Sequence, residues 1–327
     1  MATASTPLFP SMLEKLELLI ALAREKHFGR AAESYNVSQP TLSASIKQLE
    51  KVFGVLLVQR GSRFRGFTPE GERVLGWARR IVSDARAMHQ DIDALKHGLS
   101  GHIRIAAIPT ALAMTAMLTT PYRAKHPEVR FSILSRTSIQ VLEMLNNLEI
   151  DAGISYLDNE PLGRVNTVPL YDEEYRLLTS ASGPFGDRPR VAWAELARVP
   201  LCLLTPDMQN RRIIDGLLRS AGAEPMTTLE SNSMIVLFAH VRTGQWATIM
   251  PARLADTLGL TDSVRAIPIT DPVATHSIGL IIPDRQPFTP LINALVGEAR
   301  LLATALHEAK GTSKADAVGV RRRKKSG

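Results

Sequence analysis

The sequence predicts an α/β protein in three parts: a small helical head, one long helix, and a large domain in which strands and helices alternate. Three features of the pattern carry this prediction. Residues 12–68 are dense in short helical patterns, and residues 69–98 hold one unbroken helical pattern with an apolar seam. Residues 99–308 alternate β-like runs, "HIRIAAI", "VRFSILS", "DAGISY", "YRLLTS", "PLCLLT", "ATIMP" and "HSIGLII", with helix-like runs over 110–125, 138–148, 209–221, 233–243 and 288–307. Such alternation argues for a mostly parallel sheet. A domain of this length is long for one small sheet, so two lobes are expected, with "NTVPLYDEEYRLL" crossing out and "ATHSIGLII" crossing back.

Composition narrows the function. The chain has 327 residues, 45% hydrophobic and 22% charged, as in soluble globular proteins. Its net charge of +7 is concentrated at the ends: residues 1–98 carry 14 Lys and Arg against 10 Asp and Glu, residues 99–310 carry 19 against 21, and residues 311–327 carry 6 against 1. Basic ends suit a polyanionic partner. The tail, 309–327, with its "RRRKK" run, is expected to be disordered, aiding solubility or touching DNA loosely. The start, "MATASTPLFPSMLEKLE", lacks the basic and apolar regions of a signal peptide, and a single cysteine excludes an internal disulfide. Both features point to the cytoplasm, without a membrane segment. Cys202, within "PLCLL", reads as a core residue.

In the head, "FGRAAESYN" gives a short helix whose Ala31 and Ala32 permit close crossing, and Val37 plugs the turn after it. Leu42, Ile46 and Leu49 then recur at i, i+4 and i+7, so a helix from about Gln39 to Val52 packs one face on a core. Ser38 is a natural N-cap, and Pro40 falls in the first turn, where its missing N–H costs nothing. Pro40, Thr41, Ser43, Ala44, Lys47 and Gln48 project away from the core. This is the layout of a helix-turn-helix whose second helix can enter a major groove. Small polar residues alone would equally suit any solvated helix, but "VLLVQRGSRFRGF" follows, a β-like hairpin placing Arg60, Arg63 and Arg65 where a wing can clamp phosphates. Phe64 and Phe67 read as hairpin core. Together these features predict DNA binding.

In the next segment, Val74, Trp77, Ile81, Ala85, Met88, Ile92 and Leu95 recur at a mean of about 3.5 residues, the coiled-coil period. A helix of this length spans roughly 40 Å. Its seam must pack on its own domain or pair with the same helix of a second copy. Pairing would present two reading heads to an inverted repeat.

With these residues in view, the chain resembles the LysR-type transcriptional regulators. The resemblance runs from about Leu13 to Leu302. It rests on "LELLIALAREKHFGRAAESYNVSQPTLSASIKQLEKVFGVLLVQR", "FTPEGERVLGWARRI", "LSGHIRIAAIPT", "HPEVRFSILSRTSIQVLEMLNNLEIDAGI" and "VRTGQWATIMPA". It implies a winged helix-turn-helix over 12–68, a linker dimerisation helix over 69–98, and an effector domain over 99–308 like a periplasmic binding protein. Lobe I would take about 99–170 and 273–308, and lobe II about 171–272. By family position Ser38, Gln39, Pro40, Thr41 and Ser43 match the DNA-reading helix and Arg60 the wing arginine. Ala44 stands where relatives often carry a longer polar side chain, which shifts weight toward DNA shape. The implied partners are double-stranded promoter DNA, a second copy in a dimer or tetramer, and RNA polymerase. Residues before Met12 are expected to be a flexible extension or to reflect the choice of start site.

In the effector domain, Thr110, and Thr137 with Ser138, each follow a strand and open a helix, where hydroxyls and free N–H groups hold anions or serve as ordinary caps. The family positions of Thr110 and Thr137 line lobe I's side of the cleft; Thr205, Asn210 and Ser233 are the matching choices from lobe II. Arg136 beside them could meet a carboxylate or form a surface salt bridge. Trp246, where a second glycine is common in relatives, would narrow the cleft. A small anionic effector such as a short carboxylate is therefore expected, with no other cofactor and no metal. "GISYLDNEPLGRV" and "GQWATIMP" also look similar to LysR-type members found beside formate dehydrogenase operons. The rival class is a two-lobed solute-binding protein without a regulatory role. An enzyme is not expected, since HExxH, Walker A, glycine-rich dinucleotide and cysteine-cluster motifs are lacking.

Overall fold

The structure is a computed structural model that describes residues 11–59, 61, 63–260 and 262–323. The expected N-terminal extension up to Pro10, the wing residue Arg60 and the last four residues of the basic tail lie outside them. The described chain divides into two compact units, the first holding the four helices up to His97 and the second the remaining elements.

In the first unit, α1 (Met12–Glu25) starts at a capping box made by Ser11 and Glu14. Its Leu16, Leu18, Leu19 and Leu22 form the centre of the core. Helix α2 (Phe28–Glu33) is only six residues long, and its fully buried Ala31 and Ala32 let it lie against that core. Helix α3 (Gln39–Phe53) begins with the Ser38 cap and ends at Gly54, whose φ of 70° few other residues tolerate. Leu42, Ile46 and Leu49 are buried, as their spacing requires. The wing is a hairpin reduced to one antiparallel bridge, Val58 with Phe67. Phe64 packs edge-on against Phe67 at 5.2 Å and Phe28 at 6.2 Å, and both wing phenylalanines lie half-buried against the core.

Helix α4 (Pro69–His97) follows at once, capped by the Thr68 hydroxyl, which accepts from Gly71 N at 2.9 Å. One face of α4, Leu75, Ala78 and Val82, packs into the core of α1, and Arg86 pairs with Glu17 at 3.0 Å. Gly71 makes this closeness possible, because a Cβ there would lie 2.0 Å from the carbonyl oxygen of Leu57.

The second unit contains β1 (Gly101–Ala107), α5 (Thr115–Lys125), β2 (Val129–Ser135), α6 (Ser138–Asn146), β3 (Ala152–Tyr156), β4 (Val165–Ser180), β5 (Val191–Ala192), β6 (Leu201–Leu204), α7 (Gln209–Ser220), β7 (Thr227–Ser231), α8 (Met234–Val241), β8 (Thr248–Pro251), α9 (Ala252–Thr257), β9 (Val264–Thr270), β10 (Thr275–Pro283) and α10 (Pro290–Arg323). A turn of 3-10 helix, Pro109–Met114, precedes α5. The main sheet runs β2-β1-β3-β10-β4-β9-β5, with β8 also on β4 and β6-β7 as a separate pair.

The expectation of a mostly parallel sheet holds only away from the crossing strands. β1 pairs in parallel with β2 and β3, β5 with β9, and β6 with β7, but all four pairings of β4 and β10 are antiparallel. The reason is topological: the chain leaves lobe I along β4 and returns along β10, so these neighbours must run in opposite directions. The first part of β4, Val165 to Glu174, pairs with β10, and its last part pairs with β8 and β9. Lobe I is therefore β1–β3 with α5, α6 and α10, and lobe II is β5–β9 with α7–α9.

Sequence patterning missed β5, β7, β9 and α9, which are short or, like β9, interrupted by proline. It also placed disorder from residue 309, whereas α10 continues to Arg323. Alanines, lysine and arginines in "HEAKGTSKADAVGVRRR" favour helix, and no proline stops it.

Replacing Gly71 by alanine should lower unfolding stability by about 2 kcal/mol or more, because a methyl group meets fixed backbone. A chemical denaturation series on the full chain measures it, and a midpoint equal to wild type would contradict the close approach.

Candidate DNA-reading surface and effector cavity

On α3, the groups opposite the core are the predicted ones. Ser38, Gln39, Pro40, Ala44 and Lys47 are exposed, and Thr41, Ser43 and Gln48 are half-buried. The Ser38 hydroxyl caps the helix by accepting from Thr41 N at 3.2 Å and is bonded to the Thr41 hydroxyl at 2.8 Å. One of these two hydroxyls donates to the other, so the acceptor keeps its own proton free for an outside partner. Lys47 adds a positive charge one turn further on. Such a face can offer donors and acceptors to base edges.

Glu50, which the sequence reading left out, fastens this helix to the wing. Its Oε1 accepts from Leu57 N at 2.9 Å and Val58 N at 3.3 Å. A clue was available: an acidic residue in the last turn of a helix opposes the helix dipole and calls for a compensating partner. In the wing itself Arg63 and Arg65 are exposed, and neither forms an ion pair among the described residues. Unpaired guanidinium groups on a hairpin tip are suited to phosphates.

Most of the α4 seam faces away from its packed side, with Val74 the exception, half-buried against the head's core. Trp77 is 62% exposed and Leu95 83%, with Ile81, Met88 and Ile92 exposed between them. The helix thus packs on its own domain and still carries a second apolar stripe.

Lobes I and II enclose a cavity of about 710 Å³. Its walls include Leu112, Met208, Met234, Ile235, Leu254 and Leu258, and its polar edge includes Arg136, Thr137, Gln140, Asp207 and Ser233. Arg136 donates to the Ser135 carbonyl at 2.7 Å and has no ion-pair partner among the described residues. Thr137 caps α6 in a reciprocal pair with Gln140: its hydroxyl accepts from Gln140 N at 3.2 Å, and its N–H reaches Gln140 Oε1 at 3.1 Å. The hydroxyl proton of Thr137 stays available.

Of the residues proposed from sequence for this cleft, Arg136, Thr137 and Ser233 border the cavity and the others do not. Thr110 is buried, with its hydroxyl lacking a hydrogen bond among the described residues. Ser138 donates to Glu160 at 3.4 Å. Thr205 turns its Oγ1 inward, also without a partner among the described residues. Asn210 is buried and donates to the Tyr156 hydroxyl at 2.9 Å. Trp246 is the clearest correction: its indole N–H donates to Thr228 at 2.9 Å and its ring stacks edge-on with His240 at 5.4 Å. The indole therefore cannot narrow the cavity, and the inference of a very small ligand loses its basis.

Cys202 is fully buried, donates to the Leu237 carbonyl at 3.6 Å, and has its thiol pushed up to about 11 by burial. No group of three or more metal-ligating side chains occurs among the described residues. Nor, among them, is any helix long and apolar enough to cross a membrane.

Comparison with known proteins agrees with this arrangement. Residues 13–72 match the model for the bacterial regulatory helix-turn-helix protein, lysR family, and residues 96–302 match the LysR substrate binding domain. A hydrogen peroxide-inducible genes activator from Dickeya chrysanthemi is 30% identical over 281 residues, covering 85% of this chain and 90% of the relative. The DNA-binding transcriptional dual regulator OxyR of Escherichia coli K12 is 30% identical over 288 residues, with 85% and 90% covered. Among solved structures, a full-length OxyR variant from Pseudomonas aeruginosa superposes with a TM-score of 0.69 at 26% identity, covering 89% of this chain and 98% of that one. CbnR complexed with its target DNA gives 0.57 at 22% identity, covering 89% and 100%, a likeness of fold. The helix-turn-helix match removes the rival solute-binding reading.

Arg65→Ala should weaken binding to all duplexes and reduce the slope of log affinity against log salt by about 1. Gln39→Ala should instead relax discrimination between operator and competitor; equal losses on both DNAs in a retardation assay would remove Gln39 from base reading.

Proposed function

Because the chain belongs to the LysR family of bacterial transcriptional regulators, we propose that it binds an interrupted inverted repeat as a dimer under the control of an organic monocarboxylate held between its lobes. DNA reading falls to Ser38, Gln39, Pro40, Thr41, Ser43 and Lys47, and phosphate anchoring to Arg60, Arg63 and Arg65. The α4 seam pairs with that of a second copy.

The observation that carries the effector reading is Arg136, a cation at the cavity edge without a carboxylate partner among the described residues. A guanidinium takes a carboxylate in a two-point hydrogen bond, and Thr137 and Ser233 add hydroxyls beside it. Apolar walls and a volume within the range of organic-ligand sites favour a carboxylate with an apolar body over formate. This departs from the short acid expected from the sequence, for which Trp246 was the argument.

The relatives' names raise hydrogen peroxide as the signal. A peroxide sensor working through a disulfide within the chain needs two cysteines, and this chain has only Cys202. Burial and a raised pKa also make its thiol a poor nucleophile. The cavity is the better sensor.

Two measurements test this function. Ile81→Glu combined with Ile92→Glu should convert the dimer to monomer in sedimentation and weaken operator binding about 100-fold, since two linked heads gain by avidity. Unchanged sedimentation would remove α4 as the pairing surface. Calorimetry with monocarboxylates of increasing apolar size should give heats that grow from formate upward. Arg136→Ala should weaken the best ligand at least about tenfold, the worth of one charge-assisted hydrogen bond. Absence of heat with every acid at millimolar concentration would reject the carboxylate.

A further inference from the structure

Three polar contacts run from the first turn of α7, in lobe II, to the chain at the end of β3, in lobe I. Gln209 Nε2 donates to the Asp158 carbonyl at 3.1 Å, Asn210 Nδ2 to the Tyr156 hydroxyl at 2.9 Å, and Arg212 Nε to Glu160 Oε1 at 2.8 Å. Asp207 and Met208, immediately before this turn, border the cavity. The outer two contacts are half-buried. The middle one is buried and continues inward, because the same Tyr156 hydroxyl donates to Glu173 on the crossing strand β4.

Glu173 is 1% exposed, an unusual place for a carboxyl. No cation pairs with it among the described residues. Tyr171 and Tyr175 flank it on β4, and Asp158 adds a nearby negative charge. From β10, its cross-strand neighbour His276 turns Nδ1 toward Asp158 at 3.3 Å and Asn159 at 3.0 Å. From α7, Arg211 is engaged by Asp215, Glu230 and the Leu204 carbonyl. From α9, Arg253 lies over the Tyr171 ring at 5.1 Å.

We infer that the Asn210–Tyr156–Glu173 chain is a proton-sensitive latch between the lobes: closing it seals Glu173 away from water and so favours the neutral acid, and parting the lobes admits water and lets Glu173 ionise. Burial raises this carboxyl from its ordinary 4.5 to about 8, outweighing the hydrogen bonds from Tyr156 and Tyr175 that favour the carboxylate, while both tyrosines are raised well above 10 and stay neutral. The sign follows from the raised value. The closed form keeps a proton that the open form releases anywhere between 4.5 and about 8, so closure takes up one proton in that window. The ratio of closed to open protein should fall about tenfold per pH unit across it and level off above. Nothing in this latch depends on which effector fills the cavity.

The test uses the full-length protein without effector, in a Cys202→Ser background, with spin labels at Ile139→Cys on lobe I and Ile235→Cys on lobe II. Labelled chains are diluted into an excess of unlabelled protein, and pulsed dipolar distances are read from about pH 6 to about pH 9. The expected result is a short-distance population that shrinks as pH rises, and a flat profile in Glu173→Gln, whose amide stays neutral. An unchanging wild-type distribution, or a Glu173→Gln profile identical to wild type, overturns the latch. Two further readouts hold if Glu173→Gln does not fold. Infrared spectra should show a neutral carboxylic acid band in the wild type near neutral pH, and its absence overturns the proposal. Tyr156→Phe should enlarge the long-distance population at every pH, and a wild-type distribution in that variant overturns it as well.

Discussion

Helix α4 has apolar side chains on two faces, and a single chain can cover only one of them. Leu75, Ala78 and Val82 are removed from water by α1 within the same unit. Trp77, Ile81, Met88, Ile92 and Leu95 are not. Burying each large apolar side chain is worth about 1.5–3 kcal/mol, so a stripe of five is a strong demand for a partner of the same shape. An identical helix meets that demand by symmetry, since an isologous contact needs only one self-complementary face. The proposed pairing has a direct consequence: one small reading helix per chain becomes two, and the affinity of a modest polar surface becomes that of a bivalent one.

The head is organised to keep that reading helix rigid. The Ser38 cap fixes its start, Gly54 its end, and Glu50 ties it to the wing, so that Arg63 and Arg65 are held at a set offset from the exposed polar face of α3. Gly71 lets α4 begin directly against the wing. In the second unit the crossing strands β4 and β10 play the corresponding part: β4 pairs with β10 at one end and with β8 and β9 of lobe II at the other, so the main sheet runs through both lobes while they enclose a cavity. Polar contacts across the cleft are clustered on one turn of α7 next to that cavity, which places ligand contact and lobe contact on the same piece of chain.

Legibility in the sequence divided along physical lines. The positions of α3 and α4 followed from apolar spacing, because a helix that buries one face must repeat near 3.6 residues and a paired one near 3.5. Thr137 and Ser233 could be found from strand-to-helix junctions. Thr110, Asn210 and Trp246 could not be placed, because whether a polar side chain faces a cavity or a neighbour depends on tertiary packing, which no local pattern encodes. Glu173 is the instructive case. Within "YDEEY" a run of acids looks like a solvated edge, yet alternation along a strand puts Glu173 on the same face as Tyr171 and Tyr175. A carboxyl between two tyrosines at i−2 and i+2 was a readable sign of burial. The antiparallel crossing pair was half readable: both segments were identified, but their direction depends on which lobe each enters.

The most direct test of this account is footprinting of the intact protein on the DNA upstream of its own gene. Two paired reading helices should protect two half-sites on one face of the duplex, centred one helical turn of about 10 base pairs apart or a multiple of it, and filling together over one concentration range. A single protected half-site, filled by one chain, would contradict it.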